Sequence, residues 1–182
     1  MRSTNVAGRT YSLMVLTPIR EGEADALRAY LEGLPRHDDS PLARLARTHM
    51  ARLLIVPEMP VPPGRSDLED PLGGPYLLFT SNFDGDLESY LHELVAALQP
   101  EAGEIWGRCI GCPRPAAGAA LKAYLGRNQI DSGVVFAAYG NASVAQIRTA
   151  LDKRERLADF AIRAQDMKPG RRREAFLEEF GP

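Results

Sequence analysis

Two apolar runs, THMARLLIVPEM (Thr48–Met59) and PYLLFTSNFDGD (Pro75–Asp86), decide the fold of this chain. Both join aliphatic and aromatic residues in the manner of strands, and proline and glycine separate them, which predicts a central antiparallel pair. One helix later comes EIWGRCIGCP (Glu104–Pro113). The residues able to carry chemistry gather in these blocks: His49, Arg52, Asn82, Asp84, Trp106, Cys109 and Cys112.

Working outward, Tyr11–Ile19 reads as a first strand, after a polar lead-in over residues 1–9. Ala24, Leu27, Tyr30, Leu31 and Leu34 recur at helical spacing until Gly33 and Pro35 stop the helix. Ser40 and Pro41 suit the start of a short helix. The stretch Pro57–Pro75 is long for a plain connection, so a lid is expected there. Beyond Tyr76–Asn82, Asp84 or Asp86 should cap a helix with Leu87, Tyr90, Leu91, Leu94, Val95 and Leu98 on its apolar side. A helix over Ala116–Arg127 and a fourth strand within Asp131–Tyr139 (SGVVFAAY) follow. A long helix to about Gln165 comes next, with Val144, Ile147, Leu151, Leu157 and Phe160 as its buried side. An amphipathic tail, Arg171–Phe180, ends the chain.

This order predicts an α+β fold. Its core is a ferredoxin-like βαββαβ sheet in the order 4-1-3-2, with extra C-terminal helices. The expected divisions are a disordered lead-in (1–9), the ferredoxin-like domain (10–166) and a tail helix (167–182). Strands one, two and four are apolar on both faces, whereas a sheet with one wet face should alternate. The second face therefore needs a cover: a partner chain in a dimeric α+β barrel, a bound apolar ligand, or the extra helices.

At 182 residues with 45% hydrophobic and 25% charged content, the chain has the makings of one ordinary globular domain. A net charge of −2 gives no general attraction to nucleic acid. No stretch has the length of a membrane span, and the start lacks an apolar signal region, so a cytoplasmic location is expected. Signatures such as G-x-S-x-G, H-E-x-x-H and the phosphate-binding G-x-x-x-x-G-K-[ST] do not occur.

Cys109 and Cys112 form a Cys-x-x-Cys, but they follow a helix and precede Pro113 and Pro115. That setting fits two small buried thiols better than a redox pair, which needs a helix start to activate its thiol. A zinc site would need two further ligands, and no metal is expected. By strand alternation His49 shares a face with Ala51, Leu53 and Ile55, and Arg52 lies on the other. His49 reads as a boundary residue, or as a base or iron ligand. Arg52 in an apolar strand calls for a carboxylate, by default an internal salt bridge to Asp84, Asp86 or Glu104, otherwise the acid group of a ligand. Asn82, Asp84 and Asp86 suit turn and cap positions, while Trp106 suits the core, a dimer contact or stacking on a flat ligand.

Together the three blocks resemble a bacterial domain family whose pattern is roughly H-F-A-R-hydrophobic, L-L-F-x-S-N-[FY]-D-G, and I-W/F-x-H-C-x-G-Y-P. The matching positions are His49, Ala51, Arg52, Ser81, Asn82, Asp84, Gly85, Trp106, Cys109, Gly111 and Pro113. Met50, Arg108 and Cys112 depart from it. Many members have no assigned function, and some accompany peroxidases. The fold is also similar to the dimeric α+β barrels, which include small monooxygenases and haem proteins. The resemblance implies a module accessory to oxidative metabolism; the doubly apolar strands and Arg52 add that it forms a homodimer and holds a small apolar or carboxylate ligand over its sheet. Arg52, Asn82, Asp84 and Trp106 would bind that ligand. The alternative is a small oxidoreductase, haem-dependent or cofactor-free, in which His49 is catalytic. The haem histidines of the barrel proteins lie on helices, so no haem role passes to His49 from them.

Overall fold

The computed structural model of the protein describes residues 4–57 and 74–181. The expected lid, Pro57–Pro75, lies outside these residues except at its ends. The chain forms two compact units, Met1–Val144 and Ala145–Pro182.

In the first unit, strands β1 (Val6–Ala7), β2 (Thr10–Pro18), β3 (Thr48–Val56) and β4 (Tyr76–Asp84) form an antiparallel sheet in the order β1-β2-β4-β3. Helices α1 (Ala24–Glu32), α2 (Leu87–Ala97), α3 (Gln99–Ile105) and α4 (Gly118–Arg127) belong to the same unit. The inward residues of the strands, among them Leu13, Val15, Leu77, Phe79 and Phe83, make one apolar cluster with Leu27, Leu94, Ile105, Leu121 and Leu125 of these helices. Each large side chain buried in this way contributes about 1.5–3 kcal/mol. The class is therefore α+β, and the β2–α1–β3–β4–α2 order is compatible with a ferredoxin-like core.

Two expectations fail at one edge of the sheet. Residues expected as a frayed lead-in include β1, which pairs with Thr10 and Tyr11 of β2, and the Asn5 carbonyl accepts from the Ser12 N–H. Asp131–Tyr139, expected as the fourth strand, contains no strand. The reason is competition for the β2 edge. Asn5–Ala7 takes one end of it, residues 128–130 take the middle through a bridge from Val15 to Gln129, and the Ile110 N–H donates to the Pro18 carbonyl at the far end. No backbone partner is left for the residues that follow.

The second unit holds the rest of α5 (Val144–Arg163) and α6 (Pro169–Phe180). They are joined by a cluster of Phe160, Phe176 and Phe180, and Arg163 pairs with Glu179 at 2.8 Å. Those contacts explain why the division falls inside α5. The expected apolar side of α5 is only partly used: Phe160 is buried, but Leu151 and Leu157 are about half exposed. No helix among the described residues is long and apolar enough to cross a membrane.

Candidate functional site

The outward face of the sheet is a grid fixed by the register. Ser12, Asn82 and Met50 form one row across β2, β4 and β3; Met14, Thr80 and Arg52 form the next. Leu16, Leu78 and Leu54 follow, then Pro18, Tyr76 and Val56. None of these twelve residues is buried, and Met50, Arg52 and Leu54 are exposed. The face that strand composition marked as needing a cover is exposed along β3 and partly exposed over β2 and β4.

Arg52 lies on β3, the edge strand of this face. Its Nε donates to the Thr80 hydroxyl at 3.1 Å, and no carboxylate among the described residues pairs with it. The expected internal salt bridge to Asp84, Asp86 or Glu104 does not form. Asp86 instead caps α2, accepting the Ser89 N–H at 2.8 Å, and Glu104 pairs with Arg108. The Ser89 hydrogen bond holds the Asp86 carboxyl below its ordinary range.

His49 departs from strand alternation. Thr48 pairs with Phe83 and Met50 with Asn82, so His49 is the extra residue of a β-bulge. Bulges re-aim side chains, and here the imidazole Nε2 lies 3.0 Å from the Asp84 carboxylate. The second Asp84 oxygen accepts the Val144 N–H at 2.7 Å. Asp84 is 7% exposed; its carboxylate orients His49 and holds the first residue of α5. Sequence alternation could not find this pair, because a bulge changes the count by one.

Trp106 lies elsewhere. It is 1% exposed and meets Phe79 edge-on, on the helix-covered side of the sheet, so it does not reach the surface that carries Arg52 and Asn82. Its indole N–H has no hydrogen-bond partner among the described residues. The bulge also turns Thr48 to the Tyr90 hydroxyl at 3.0 Å, which Ser81 contacts from the other side at 2.5 Å. Burial raises the Tyr90 pKa and makes this trio a structural linkage.

Cys109 is fully buried against the Thr17 hydroxyl, and Cys112 is half-buried. Burial pushes the Cys109 thiol up to about 11 and also raises that of Cys112, the opposite of what activates a thiol nucleophile. Among the described residues no three His, Cys, Asp or Glu side chains gather as a metal set.

Fold and site thus define a small α+β protein whose sheet has one helix-covered face and one open face bearing an exposed arginine. No protein-family model, curated protein or solved structure matches the chain.

Proposed function

We propose that the protein is a ferredoxin-like, homodimeric module that binds a small apolar carboxylate on the open face of its sheet. The observation that carries this reading is Arg52: an exposed guanidinium on an apolar face, with no carboxylate partner among the described residues. A carboxylate beside Arg52 would gain charge-assisted hydrogen bonds, with Ser12, Thr80 and Asn82 as neighbouring polar groups. Leu78 on β4 and Leu16 on β2 would take the apolar tail. Trp106 has no part in this site, and Asp84 serves it only by fixing the rim. A role beside oxidative enzymes rests on the resemblance of the sequence blocks.

The second reading, a small oxidoreductase, is supported by the His49–Asp84 pair, since a carboxylate that orients an imidazole is a common arrangement for a general base. A haem ligand does not fit, because the Nε2 that would meet iron faces Asp84. Titration with a fluorescent medium-chain carboxylate tests the first reading. Arg52→Leu should weaken binding by roughly ten-fold or more and leave the melting temperature unchanged. Equal binding by both proteins would remove the carboxylate reading. Oxygen uptake during the titration, lost in His49→Ala, would move the assignment to the oxidoreductase.

A further inference from the structure

The segment expected as a fourth strand is a loop pinned at both ends. Asn5 holds one end, donating to the Asp131 carboxylate and accepting the Ser132 N–H, each at 2.7 Å. At the other end the Gly140 carbonyl accepts the Arg9 N–H at 2.5 Å. Gly8 has φ +66°, and a Cβ there would lie 2.4 Å from the Gly140 oxygen, so only glycine permits this approach. Between the pins runs GVVFAAY (Gly133–Tyr139), without a charge. Val134 is 90% exposed, Phe136 88% and Tyr139 76%. A loop held at both ends presents these side chains outward.

We propose that this loop seats on the open sheet face of a second copy of the chain, and that the second copy's loop seats on the first. The inference rests on the reading of that face as the working surface, and it names what closes it. The loop follows the β2 side of the sheet, and the exposed part of the face lies toward β3, the opposite edge. A two-fold exchange covers both apolar surfaces at once, whereas a different partner would have to supply matches for each. The exposed loop side chains carry roughly 450 Å². With the face beneath them, two such contacts would bury about 1,500 Å² in total, the size of a specific, stable interface. An uncharged loop suits the Met- and Leu-lined part of the face.

Sedimentation equilibrium of the full chain tests this with Val134→Asp/Phe136→Asp on the loop and Leu54→Asp on the face. The wild type should be a dimer, and each variant should dissociate at least roughly a hundred-fold more readily with an unchanged circular dichroism spectrum. A wild-type dimer broken by Leu54→Asp but untouched by the loop variant would overturn the loop assignment and leave the face as an interface. A dimer indifferent to both changes would overturn the loop and the interface together. A wild type that stays monomeric would overturn the exchange, while the carboxylate titration would still judge the face as a ligand site.

Discussion

At the scale of single residues, environment decides which conspicuous side chains are available for chemistry. Cys109 and Cys112 look reactive as a motif but sit where burial stabilises the protonated thiol. For Cys109 the pKa rises from 9.0 to about 11. A pKa raised on folding adds stability that is complete below the unfolded value and fades as pH climbs through the folded one. Stability should therefore fall between about pH 9 and about 11. At pH 7.5, iodoacetamide should label Cys109 only after unfolding, as read by mass spectrometry of the intact chain. Labelling of native Cys109 at the rate of a free thiol would show that the site is open. Arg52 presents the reverse case, a charge that apolar neighbours would be expected to bury with a partner, yet one held in solvent with Thr80 as its hydrogen-bond partner among the described residues.

At the scale of elements, the sequence carried the pattern of the strands and helices but not the competition between them. Apolar composition between turn residues located β2, β3 and β4, and helical spacing located α2, because each packs an apolar side on the core. The fourth strand was also well marked by composition, and it failed because its pairing edge was already occupied by a segment too polar and too short to read as a strand. His49 was legible as a special residue, but its partner was not, since the bulge at Thr48–Met50 breaks the period on which face assignment depends. The open face itself was legible as a contradiction: strands too apolar for a wet surface. The pinned loop yields an element-scale prediction. Gly8 and Gly22 both have positive φ, but only Gly8 faces backbone, and nothing lies within 4 Å of a Cβ at Gly22. Gly22→Ala should cost about 1–2 kcal/mol of unfolding free energy from the left-handed backbone alone. Gly8→Ala should cost clearly more in the same urea denaturation series. Equal losses would mean that the Gly8–Gly140 approach does not hold the loop.

At the scale of the whole molecule, one face of the sheet is covered by helices of its own unit and the other is exposed along β3, where Arg52 lies, with an apolar loop exposed elsewhere on the same unit. Unmatched surfaces of this kind mark interaction sites in folded proteins. The central claim is that this face works by being occupied, by an acid ligand and by a second chain. Native mass spectrometry of the purified 182-residue chain at micromolar concentration tests it most directly. The expected spectrum shows a species at twice the 20.0 kDa chain mass that carries a small added mass, released on acidification and recovered as an organic acid. A bare single chain of 20.0 kDa as the only species, with no adduct when a medium-chain carboxylate is added, would contradict it.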